Sequence, residues 1–306
     1  MPFSVFCKES RSFLKQILIF AEVLETYADI LILDWNMKKL AFVFMASLCA
    51  LTVAAQDFYQ EKTVFKNDDV EIRQIDEHTW HGNGHQVYNE SIYIVAGDSA
   101  AILIDAGTHI PGLKKIVEDI AGMPVTLVAT HVHPDHTGSA VNEWDEIWIN
   151  AADEVNTRQN LRGFSGTKRY LTDGQVFNLG GRRIEVIFTP GHTPGSTTFV
   201  DPDAHYGFSG DAFGSTNLLV STSLSTQAAT CARMERFIRK YDIKFFYPGH
   251  YYGNDVETPQ RVSDVRKICE GILDGTETPV RGDNRSLPNV VEKYGVKVNF
   301  GEKQKR

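Results

Sequence analysis

The segment His131-Val132-His133-Pro134-Asp135-His136 places four metal-binding side chains within six residues. Imidazole nitrogens and a carboxylate oxygen are donors that a divalent ion such as zinc accepts. Single histidines are common on surfaces and in cores, but four ligand types in one short loop are not. The loop follows the strand-like run 125–130, an end from which its side chains can converge on a cleft. Three more segments each carry one candidate ligand after a strand-like run: Thr189-Pro190-Gly191-His192-Thr193-Pro194-Gly195, Ser209-Gly210-Asp211 and Tyr247-Pro248-Gly249-His250. Gly and Pro ahead of each histidine make a tight turn and let the backbone approach an ion. Asp105 ends a further run in Leu103-Ile104-Asp105-Ala106-Gly107.

In this order the five motifs resemble those of the metallo-β-lactamase-fold hydrolase superfamily, over about residues 75–275. The resemblance implies an α/β fold, a four-layer αβ/βα sandwich with two sheets face to face, helices outside and a metal cleft at one edge. It also implies a ligand set: His131, His133 and His192 for one metal, Asp135, His136 and His250 for a second, and Asp211 bridging both. Asp105 would stand behind the His-rich loop and brace it by hydrogen bonds, since ligands need such orientation. Two zinc ions are expected, and the same donors accept iron or manganese. Two ions roughly 3.5–4 Å apart lower the pKa of a shared water, and the resulting hydroxide attacks a carbonyl or phosphoryl centre. The expected activity is hydrolysis of a small-molecule ester, lactone, thioester, amide or β-lactam. Asp135 would be its catalytic carboxylate, facing the water or leaving group.

A bridging Asp211 shifts the resemblance from the zinc β-lactamases toward glyoxalase II, lactonases and phosphodiesterases, and a phosphodiesterase remains an alternative. Only 56 residues (306 − 250) follow His250, which leaves little room for the helical glutathione-binding domain of glyoxalase II. A second class shares the fold: persulfide dioxygenases, in which one iron would sit on His131, His192 and Asp211. Their Arg-Thr-Asp-Phe segment is replaced here by Ala212-Phe213-Gly214-Ser215-Thr216. Tyr251 or Tyr252 could donate to an oxyanion or pack beside the cleft. Trp80, His81 and His85 surround Gly82-Asn83-Gly84, which reads as a substrate flap or a solvated glycine-rich turn.

The elements that must position these residues alternate along the chain. Strand-like runs fall at 91–96, 101–105, 125–130, 146–150, 183–189, 197–200 and 244–247, and helix-like runs at 113–121, 231–241 and 258–273. No linker or fixed repeat interrupts them, so residues 56–306 read as a single α/β domain. Composition is that of a globular protein, 42% hydrophobic and 23% charged. Thirty-one Lys+Arg against 39 Asp+Glu leave a net charge of −8, which repels polyphosphates and argues against nucleic acid as a partner. Arg158, Arg162, Lys168 and Arg169, in a connection between two strands, could meet an anionic substrate, but read better as a solvated loop.

From Met37 the text has the form of a secretory signal peptide: Lys38 and Lys39, an apolar run over 40–53, and the small-residue site Val53-Ala54-Ala55. The run is short for a bilayer span, so no stable membrane insertion is expected after cleavage. The reading assigns 37–55 to the signal and 1–36 to a mis-assigned extension, with translation starting at Met37. It places the mature protein in the periplasm or outside the cell. Cys231 and Cys269 remain after cleavage and either pair in that oxidising compartment or stay as buried thiols.

Overall fold

The computed structural model describes residues 62–161, 163–214 and 217–305. These lie in one of the two compact units of the chain, Glu61–Arg306. The signal peptide, the proposed start at Met37 and Arg162 fall outside the described residues.

The first sheet contains β1 (Lys62–Lys66), β2 (Val70–Asp76), β3 (Thr79–Gly84), β4 (Ser91–Ala96), β5 (Ala101–Ile104), β6 (Val125–Val128), β7 (Glu146–Ile149) and β8 (Thr167–Tyr170), neighbours in chain order. Strands β1 to β5 pair antiparallel, and β5 to β8 pair parallel. The second sheet contains β9 (Val176–Asn178), β10 (Arg183–Phe188), β11 (Thr197–Asp201), β12 (Tyr206–Gly210) and β14 (Phe245–Pro248). A third, smaller sheet holds β13 (Asn217–Leu219), β15 (Val280–Arg281), β16 (Asn289–Lys293) and β17 (Val296–Phe300). Four α-helices accompany them among the described residues: α1 (Leu113–Ala121), α2 (Glu154–Asn160), α3 (Leu224–Tyr241) and α4 (Pro259–Asp274).

Side-chain alternation on β4 and β5 dictates the stacking. Tyr93, Val95, Ile102 and Ile104 turn inward against Ile184, Val186, Phe199 and Phe208 of the second sheet. Ile92, Ile94 and Leu103 turn outward against Leu113 and Val117 of α1. None of these is more than 1% exposed, and burying each such side chain contributes roughly 1.5–3 kcal/mol. A strand buried on both faces reads as a continuous apolar run, which is why β4 and β5 are plain in the sequence. The outer face of the second sheet, with Ile187, Val200 and Phe246, is covered by Leu224 and Met234 of α3 and Val265 and Ile268 of α4. The layers therefore run helix, sheet, sheet, helix, the expected sandwich, with Val298 and Phe300 of the third sheet joining the helical side.

Helix α1 ends at Gly122, whose φ of 70° suits the left-handed cap that glycine adopts cheaply. Helix α4 starts with Thr258 as cap and Pro259 in its first turn. Helix α3 begins at Leu224, not at Cys231 as the apolar spacing suggests. Its Ser/Thr/Gln-rich first turns lack an apolar period, yet Ser223 caps them by accepting from the Thr226 N–H at 3.1 Å.

Several expectations need correction. Gly82-Asn83-Gly84 is neither flap nor solvated turn but the end of the buried central strand β3. A Cβ on Gly82 would lie 2.7 Å from Ile92 Cγ1, so the glycine serves close packing inside the sheet. Lys168 and Arg169 stand on β8 and not in a loop, paired with Glu154 and Glu146. Cys231 and Cys269 are buried free thiols on α3 and α4. No helix among the described residues is long and apolar enough to cross a membrane.

Candidate metal centre

Strand direction gathers the candidate ligands. β12 and β14 are parallel, and β10 shares their direction because β11 opposes both β10 and β12. His192, Asp211 and His250 follow those three strands, while Asp105 and the His131–His136 loop follow the parallel pair β5 and β6. Backbone bonds tie the two sets together: Thr197 N–H donates to Thr130 O at 2.8 Å, and Ser91 N–H to Gly249 O at 2.8 Å.

Three imidazoles meet first. His131 Nε2 and His192 Nε2 each lie 3.0 Å from His133 Nδ1. A second group joins Asp135, His136 and His250, with His250 Nε2 3.6 Å and His136 Nε2 3.9 Å from Asp135 Oδ2. Asp211 lies between the groups: its Oδ2 is 3.5 Å from His192 Nε2 and 3.6 Å from His250 Nε2, and its Oδ1 is 3.7 Å from His136 Nε2. All seven residues fall into triplets whose ligand atoms lie within 4.8 Å of one another.

What the rings touch on their far sides fixes which nitrogen points inward. His136 Nδ1 lies 2.8 Å from Asp105 Oδ2, His192 Nδ1 2.8 Å from Leu219 O, and His250 Nδ1 3.1 Å from Tyr88 O. These oxygens only accept, so each Nδ1 carries a proton and Nε2 is the nitrogen left facing the centre. His131 Nδ1 lies 3.1 Å from Thr130 Oγ1, whose own proton goes to Asp105 Oδ2 at 2.8 Å. Asp105, 1% exposed, also accepts from Thr130 N–H at 2.7 Å, so one carboxylate braces both His131 and His136.

The donor set fits divalent ions. His136 Nε2 is buried without a hydrogen-bond partner. It faces carboxylate oxygens at 3.7 and 3.9 Å, too far for a hydrogen bond. Two ligands bound at roughly 2.0–2.2 Å to one tetrahedral ion stand about 3.4 Å apart, much closer to this spacing. The electrostatics of the ion-free cluster are lopsided. Burial and the neighbouring His136 and His192 rings push His131 well below the usual imidazole range, and burial with His192 and His136 brings His133 down to about 4. Burial acts against the cation at His136 too, yet Asp105, Asp135 and Asp211 together hold that ring up to about 10.

The cleft over this centre has a volume of about 540 Å³ and is lined by Val87, Tyr88, Leu219, Tyr252, Asp255 and Asn284 besides five of the ligands, His131 and His136 lying beneath it. Tyr252, 60% exposed, stands in its wall and donates its hydroxyl to Tyr88 O at 2.9 Å. Tyr251 does not reach the cleft. It is 5% exposed and packs between the sheets, edge-on to His81 at 4.9 Å. His81 is itself buried with both ring nitrogens unpartnered, and Trp80 sits in the α1-side core. Neither is at the site, and His85 is exposed outside the cleft lining. The sequence reading missed Thr130, whose only signal is its position between a strand and His131. It also missed the carbonyls of Leu219 and Tyr88, which no side chain announces.

Comparison with known proteins points to the same fold. The family model described as the metallo-beta-lactamase superfamily matches residues 85–250. The human acyl-coenzyme A thioesterase MBLAC2 is 27% identical over 203 residues, covering 53% of this chain and 72% of that protein. The hydroxyacylglutathione hydrolase GloC of Haemophilus influenzae is 28% identical over 127 residues, covering 36% of this chain and 60% of that one. Among solved structures, a metallo-beta-lactamase from Pontibacter korlensis superposes with a TM-score of 0.54 at 20% identity, covering 66% of this chain and 99% of that one. Fold and site define a metal-binding hydrolase. The chain belongs to the metallo-beta-lactamase superfamily.

Proposed function

We propose that this chain is an exported hydrolase that holds two zinc ions and cleaves an acyl bond, an ester, lactone or thioester, in a small molecule. One observation carries the reading: imidazole nitrogens converge with the Asp135 and Asp211 carboxylates while acceptors behind the rings turn Nε2 of His136, His192 and His250 inward. His131, His133 and His192 would hold one ion, and Asp135, His136 and His250 the other. Asp211, within reach of both groups, would be shared. When bound, such ions activate water as a nucleophile and stabilise charge on the substrate oxygen.

The residues of the chain do the rest. Asp135 lines the cleft with its side chain 17% exposed, where a carboxylate can take a proton from the water and return it to a leaving group. Tyr88 and Tyr252 give the cleft aromatic walls against which an apolar acyl group can pack. The names of the two relatives, an acyl-coenzyme A thioesterase and a hydroxyacylglutathione hydrolase, favour an acyl substrate over a phosphodiester. The signal-like text from Met37 supports export.

The test is a panel of aryl esters, lactones, thioesters, β-lactams and phosphodiesters assayed on purified protein with zinc, manganese or iron. Acyl substrates should be turned over with zinc and phosphodiesters should not. Oxygen consumption on a persulfide with one iron bound would replace the proposal by the dioxygenase reading.

A further inference from the structure

Asp153 closes the short turn Ala151–Asp153 after β7, on neither of the ligand loops, and is 0% exposed. Its carboxylate reaches both loops that carry the three-imidazole group. Oδ2 accepts from the Val132 N–H at 2.9 Å, between His131 and His133. The same oxygen accepts from the Thr193 hydroxyl at 2.9 Å, one residue beyond His192. Oδ1 accepts from the Gly195 N–H at 2.7 Å and from Asn156 Nδ2 at 3.3 Å.

A fully buried carboxylate is costly unless its oxygens are satisfied. Here four donors satisfy it, and among the described residues no Lys, Arg or His pairs with it. Charge-assisted bonds of this kind are shorter and roughly twice as strong as neutral ones. The chain also gives way sterically to let them form: a Cβ on Gly195 would lie 2.5 Å from Asp153 Cγ. That contact is a physical reason for glycine at the end of the Thr193-Pro194-Gly195 segment.

We propose that Asp153 is a positioning residue for the first metal site, presetting the distance between the His131–His133 loop and the His192 loop and thereby the affinity for the first ion. The inference rests on the reading of these imidazoles as a metal site. Without the carboxylate, His192 keeps the tie of its Nδ1 to Leu219 O but loses the link that holds its Nε2 3.0 Å from His133 Nδ1.

The experiment titrates the full chain, stripped of metal, with Co(II) and then zinc against a chromophoric chelator, following the cobalt ligand-field bands. Asp153→Asn keeps the shape but turns an N–H₂ toward donors, and should weaken the first ion about 10–100-fold, the usual loss when an outer partner of a ligand is removed. It should also shift the first cobalt band. Thr193→Val removes one donor and keeps the carboxylate, so it should give a smaller loss, and it decides the matter if Asp153→Asn does not fold. A lower melting temperature with wild-type affinity and spectrum in both variants would reduce Asp153 to a structural role and overturn the inference. A wild-type chain that binds no ion would instead overturn the metal reading itself.

Discussion

His136 and Asp105 form a buried pair, with Nδ1 2.8 Å from Oδ2, the ring fully buried and the carboxylate 1% exposed. The pair fixes the ring's orientation, and because Asp105 also takes the protons of Thr130, one acidic residue orients two imidazoles. Asp105→Asn should lower the affinity for the ion beside His136 by about 10–100-fold, read by chelator competition, while the isosteric change leaves the far-ultraviolet circular dichroism unaltered.

Gly249 stands where the second sheet touches the centre. A Cβ there would lie 2.3 Å from Asp211 Oδ1 and 2.6 Å from His136 Cε1. Gly249→Ala should therefore displace both ligands, with at least one ion lost on metal analysis and turnover lost with it. Urea unfolding should show a cost of about 1–3 kcal/mol, as overpacking usually does.

The cleft wall gives a kinetic expectation. Tyr252→Ala removes an exposed ring from the lining but no ligand, so KM for an aryl ester should rise while kcat stays within a few-fold, the pattern of lost uniform binding. Tyr252→Phe loses only the bond to Tyr88 O, which still accepts from His250 Nδ1. Its steady-state constants should stay close to wild type.

Away from the centre, burial, together with the charge of Arg73, lowers the pKa of His81 from 6.5 to about 3. The unfolded chain then binds one more proton than the folded one between those values. Stability is complete above pH 6.5 and falls as pH drops toward 3, by at most about 1.4 kcal/mol per pH unit from this group. His81→Phe, placed between Tyr93 and Tyr251, should flatten that slope in denaturant titrations across pH 4–7.

The ligands were legible in the sequence because residue type and spacing carry them: His131, His133, Asp135 and His136 leave few other readings, and Gly or Pro marks the turns of His192 and His250. The doubly buried strands β4 and β5 were legible as nearly unbroken apolar runs. β3 was not, since glycine in Gly82-Asn83-Gly84 suits a turn and a tightly packed strand alike, and only Ile92 across the sheet decides between them. Nor were the acceptors behind His192 and His250. They are backbone carbonyls, and that of Tyr88 is aimed by a left-handed backbone at φ 47° that no residue type signals. Asp153 escaped notice because its four donors come from three separate segments.

The central claim, a metal-dependent acyl hydrolase with a shared carboxylate at Asp211, is tested most directly by metal content and ester hydrolysis measured together on wild type and Asp211→Ala. The account expects close to two zinc ions per chain in the wild type, turnover lost on chelation and restored by zinc, and loss of both metal and activity in Asp211→Ala. Hydrolysis at the wild-type rate after complete chelation, or an Asp211→Ala protein that keeps two ions and full turnover, would contradict it.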